Sequence, residues 1–100
     1  MKQIKGYEDF AFYIWTNLKK GHGFDFAGGV DNDGEGEEWN RAEVIEFCDS
    51  WMLALGGYQG RSVAIPWDEE TNLIEVELVV REFMETYFMD EVFIDQEVEP

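Results

Sequence analysis

The chain has a single cysteine, Cys48, so it has no internal disulfide to staple it, and a lone thiol fits a reducing compartment. Only two prolines are present, and no apolar run approaches the ~20 residues that a membrane-spanning helix needs. The N-terminal lysines are followed by no apolar stretch with a cleavage site, so no export signal is read there, and the expected location is the cytoplasm. Cations are scarce beside acids: 7 lysines and arginines stand against 23 acids, giving a net charge of −16 in 100 residues. Seven cations on that background are not drawn to a polyanion, which excludes direct nucleic-acid binding through phosphates. What the chain does have is core material, with 45% hydrophobic and 16% aromatic residues, enough for one packed domain over residues 1–100.

The charge is unevenly placed. Residues 1–23 carry Lys2, Lys5, Lys19 and Lys20 against Glu8 and Asp9, whereas residues 24–100 carry 21 acids against Arg41, Arg61 and Arg81. A folded chain of this length is a sphere roughly 34 Å across. Duplex DNA carries about 20 charges over that length. In charge per unit length the domain is therefore comparable to a short duplex.

Hydropathy patterning predicts an α+β domain with two main helices, a β-hairpin or small antiparallel sheet, and a short third helix. Tyr7, Phe10, Ala11, Ile14 and Leu18 recur at helical spacing from Tyr7 to Lys20, with Gly21 and Gly23 as a stop. Residues 21–39 read as a long glycine-rich and acidic loop. Val44, Ile45, Cys48, Trp51, Met52 and Leu55 predict a second helix over Asn40 to Leu55. Asn40 and Glu43 form its capping-box variant, and Gly56-Gly57 its end. Cys48 falls on the apolar stripe and is expected to be buried and inert.

Ser62 to Trp67 and Leu73 to Val80 read as hairpin strands around a turn at 68–72, with Pro66 marking an edge or bulge. Ile74, Val76 and Leu78 alternate with Glu75 and Glu77, and the apolar set is expected to meet the second helix in one core. A helix over 69–89 fits the same stretch through Leu73, Val76, Val80, Phe83, Met84 and Tyr87; Arg81 to Met89 is helical on either reading. Val92 to Glu99 is a last strand or a frayed acidic tail.

No catalytic or metal pattern emerges, so neither an enzyme nor a cofactor is expected. Asp31-Asn32-Asp33-Gly34-Glu35-Gly36 opens like a calcium loop but has Ala42 where the bidentate glutamate belongs, leaving at most weak divalent binding. His22 lies between glycines and reads as an exposed loop histidine. The chemistry that remains is the acid itself. Glu43, Glu46 and Asp49 are expected on one side of the second helix, Glu75 and Glu77 on one side of a strand, and Glu82 and Glu85 on the third helix. Asp68, Glu69 and Glu70 fill the turn, and Asp95 and Glu97 extend the spacing into the tail. Ordinary surfaces interleave signs, because neighbouring like charges repel.

In size, net charge and rows of acids the chain resembles the DNA-mimic inhibitors of phages and mobile elements, of anti-CRISPR and anti-restriction type. That resemblance is compositional and rests on no shared motif. It implies stoichiometric inhibition of a basic nucleic-acid-binding defence protein or nuclease complex, with carboxylates in place of phosphates and aromatic anchors such as Trp39, Tyr58 or Trp67. Two alternatives stand beside it: an immunity protein or antitoxin capping a cationic toxin, and a virion structural or self-associating domain using the aromatic first helix. The oligomeric state, a homodimer included, is left open.

Overall fold

The computed structural model describes residues 2–28, 39–57 and 62–94. The elements run β1 (Lys2–Lys5), α1 (Tyr7–Asn17), β2 (Gly23–Gly28), β3 (Trp39–Phe47), β4 (Ser50–Gly57), β5 (Ser62–Pro66), α2 (Leu73–Thr86) and β6 (Glu91–Ile94). A single 6-stranded sheet in the order β1-β6-β2-β3-β4-β5 is antiparallel at every pairing. α1 and α2 pack on each other and cover one face of it. The expected layout of two main helices, a hairpin and a short third helix is thus overturned: the domain is mostly sheet.

The largest correction falls on 40–55, which forms the β3–β4 hairpin. Val44, Trp51 and Leu55 satisfy helical spacing, but they satisfy alternation as well. Ala42 and Val44 on β3, with Leu53 and Leu55 on β4, are fully buried on the helix-covered face, and Ala42 pairs with Leu55 and Val44 with Leu53. Arg41, Glu43 and Ile45 point to the other face. Tertiary pairing decides between the two periods. β2 lies inside the stretch expected as a loop, buries Phe24 and Phe26, and pairs Gly23–Ala27 with 39–43. A helix at 40–55 would leave that strand's ladder unmade. Asn40 and Glu43 are therefore a coincidence of spacing and cap nothing.

Cys48 and Asp49 form the two-residue hairpin loop, with φ of 51° and 65°. Positive φ at both positions is the type I′ geometry that matches the twist of the flanking strands. Neither residue is the asparagine or glycine that advertises such a turn, which is why the sequence hid it. Cys48 is accordingly exposed, not buried.

The second correction concerns 73–80, expected as a strand and found as the first half of α2. The alternative helix reading of this stretch holds, and Arg81–Thr86 continues the same helix as no separate element. Asn72 is its cap: the side chain accepts a hydrogen bond from the Glu75 N–H at 2.9 Å. Val76, Val79, Val80, Phe83 and Met84 face the core, whereas Ile74 and Leu78, expected there, are exposed. Of the last segment, Glu91–Ile94 is strand; its remainder lies outside the described residues.

The core sits between sheet and helices. Phe10 meets Phe26 edge-on with centroids 4.9 Å apart, and Phe26 meets Phe83 at 5.9 Å. Burying side chains of this size contributes about 1.5–3 kcal/mol each. Gly23 is required by crowding on the open face: a Cβ there would come within 2.8 Å of both Glu43 Cβ and Arg41 Nη2.

Candidate partner-binding surface

The sheet register gathers acids at one end of the molecule. Phe47 pairs with Ser50 and Met52 with Pro66, and the Trp67 N–H bonds to the Trp51 carbonyl at 2.9 Å. The β3–β4 loop therefore lies beside the 68–72 turn from which α2 departs. Glu46, Asp49, Asp68, Glu69, Glu70 and Glu75 all project from this end, each exposed.

The turn holds its carboxylates on a fixed frame. Asp68 Oδ1 accepts from the backbone N–H groups of Glu70 at 2.8 Å and Thr71 at 3.1 Å. Thr71 is buried, donates its hydroxyl to the Pro66 carbonyl at 2.8 Å, and accepts from the Asp68 N–H at 3.0 Å. Glu69 and Glu70 are thereby aimed outward just ahead of the positive end of α2, which tolerates their crowding.

Compensation is slight. Among the described residues the ion pairs are Arg41 with Asp25 at 3.2 Å, Arg41 with Glu43 at 3.0 Å, and Arg81 with Glu85 at 2.9 Å. Burial pulls the Arg41 guanidinium down, but hydrogen bonds and charge from Glu43 and Asp25 outweigh it and leave the pKa above its ordinary value. None of these pairs reaches the acidic end. Lys20 sits near it, 5.6 Å above the Trp51 ring, and takes no carboxylate partner among the described residues.

The expected rows are redistributed. Glu43 lies half-buried on the open sheet face beside Arg41, Glu46 takes the opposite face of β3, and Asp49 is in the loop, so the three share no side. Glu75 and Glu77 are two residues apart on a helix and diverge; Glu75 is exposed and Glu77 half-buried. Glu82 and Glu85 remain exposed neighbours on α2, the latter held by Arg81. Asp95 and Glu97 lie outside the described residues, as do Tyr58 and the calcium-like 31–36 loop. Trp39 is half-buried on the open face. Trp67 is half-buried against Trp15, with ring centroids 5.6 Å apart, so it is chiefly a packing residue.

Sequence reasoning missed the acidic end as a unit. Its signal was Asn72-x-x-Glu75, a helix start placed directly after Asp68-Glu69-Glu70. His22 is half-buried rather than exposed, with Nδ1 shielded and without a hydrogen-bond partner. Among the described residues no group of three or more acids, histidines or cysteines is arranged to hold a metal ion, and no helix is long and apolar enough to cross a membrane. Comparison with protein-family models, with curated proteins and with solved structures finds no match.

Proposed function

We propose that this chain is an acidic protein-interaction domain that occupies the nucleic-acid site of a basic protein or nuclease complex and blocks it stoichiometrically. The observation that supports this reading is the set of exposed carboxylates at the loop-and-helix end that form no ion pair among the described residues, Glu46, Asp49, Glu69, Glu70 and Glu75, with Glu82 further along α2. A solvated face built only for dispersal gains nothing from a hydrogen-bonded turn that fixes the direction of its acids. A phosphate-binding cleft does gain, because preset charges are bound without ordering cost. The ligand is now a compact acidic knob continued along one helix, in place of parallel rows on strands.

Lysate passed over the immobilised chain at 50 mM salt, followed by elution with duplex DNA at constant ionic strength, tests the proposal. The expected eluate is a basic nucleic-acid-binding protein whose DNA binding is lost in proportion to added chain. An eluate free of such proteins, or a captured protein that still binds DNA when saturated with the chain, overturns it.

A further inference from the structure

Among the described residues both edges of the sheet are open, and their flanks are complementary. There β5 pairs only with β4, and β1 only with β6. The Trp67 N–H bond to Trp51 fixes which backbone groups of β5 face inward, so Ala64 directs its N–H and C=O to the free edge. The Gly6 N–H bond to the Asp90 carbonyl does the same for β1, where Gln3 and Lys5 face outward. Pro66 at the outer edge has no N–H to leave unpaired, and its carbonyl is taken by Thr71.

Beside each edge runs a groove between strand and helix. The β5 groove, about 430 Å3, is lined by Val63, Ile65, Leu78 and Val79 between Glu75 and Glu82. The β1 groove, about 410 Å3, is lined by Ile4, Phe12 and Tyr13 beside Lys2 and Lys5, with Asp9 as its one acid. Each exposes a large apolar side chain, Leu78 at 60% on α2 and Phe12 at 55% on α1, and Ile74, 68% accessible, lies one turn before Leu78 outside the groove lining.

We infer that the β5–α2 edge of one chain docks the β1–α1 edge of a second copy, head to tail. Five successive antiparallel pairings separate β1 from β5, so the two strands run in opposite directions. A second copy's β1 laid beside β5, helices on the same side, therefore continues the antiparallel alternation. Ala64 then meets Gln3 or Lys5 of the second copy, residues on the same sheet face as itself, and Val63 and Ile65 share the other face with Ile4. The exposed Ile74 and Leu78 are brought against Phe12, and Glu75 and Glu82 against Lys2, whereas Lys5 stays on the open face. A foreign cationic segment would satisfy Glu75 and Glu82 but would leave Phe12 and the second edge unexplained. The pairing is short, since lysines and a proline at sheet edges limit strand addition. The contact is heterologous, and it adds copies in series.

Sedimentation equilibrium in 0.5 M NaCl tests this apart from the proposed function. There the screening length is about 4 Å, which suppresses both repulsion between the acidic chains and capture of a cationic partner. The wild type is expected to exceed its 11.7 kDa monomer mass as concentration rises. Phe12→Asp and Leu78→Asp are each expected to stay monomeric alone. Mixed, they should form a dimer of about twice the monomer mass and nothing larger, because each keeps the edge the other lacks. Phe47→Asp, which adds the same charge on an interior strand, should associate like the wild type. A wild type monomeric throughout overturns the inference, as do blocked variants that fail to complement each other. Association that survives Phe12→Asp while lost in Leu78→Asp also overturns it, pointing to a symmetric α2 contact. Binding of a synthetic lysine-rich extended peptide to the β5 groove without any self-association assigns the edge to a foreign segment instead.

Discussion

Met52 and Leu53 are consecutive in β4 and face opposite sides of the sheet, so truncating each reports the architecture directly. Leu53 is fully buried, and Leu53→Ala should cost about 2–5 kcal/mol in urea unfolding. Met52→Ala, on the open face, should cost less than about 1 kcal/mol. A helix over 40–55 would reverse the order, since Met52 lies on its stripe and Leu53 off it. Cys48 gives a second readout. In the hairpin loop its thiol should react with an aromatic disulfide reagent in the native state as fast as a free thiol does; protection until unfolding would contradict the exposed loop. At this scale the sequence was ambiguous for a physical reason. Val44, Trp51 and Leu55 fit both periods, and only pairing with β2 separates them.

At the scale of elements, the helices were the more legible part. α1 ends three residues short of its expected limit, and α2 carries the apolar stripe of the alternative reading at 69–89. A cap and a stripe are local, whereas β2 and β6 are strands by virtue of neighbours distant in sequence. The candidate site followed the same rule: Glu82 and Glu85 kept their relation on a helix, while Glu43, Glu46 and Asp49 lost theirs when that segment became a hairpin. The end of α2 stores some strain. Phe88 takes φ of 56° where the Met89 N–H returns to the Met84 carbonyl at 2.8 Å, a position that favours glycine. Because Phe88 is also exposed, Phe88→Gly should raise stability by about 0.5–1 kcal/mol in urea unfolding. A loss of stability would show that the ring packs in solution.

The whole molecule holds −16 within a radius of gyration of 12.8 Å. Two carboxylates about 7 Å apart repel by about 0.6 kcal/mol in water, and many such pairs accumulate here. Raising sodium chloride from 0.05 to 1 M shortens the screening length from above 10 Å to about 3 Å. The urea midpoint should therefore rise with salt; a fall would mean that ion pairs outweigh repulsion in the native state. The acids are then a cost to folding, which the proposed binding to a cationic cleft would offset.

The most direct test of that binding compares two variants that change net charge equally. Glu69→Lys, Glu70→Lys and Glu75→Lys together alter the acidic end; Glu8→Lys, Asp9→Lys and Asp90→Lys alter the opposite end. Both are measured by competition with duplex DNA for the captured basic protein at 0.15 M salt. The account predicts that the first triple weakens competition at least 100-fold and the second less than about 10-fold, a gap of at least about 1.4 kcal/mol. Equal losses, or no loss in the first, would contradict it.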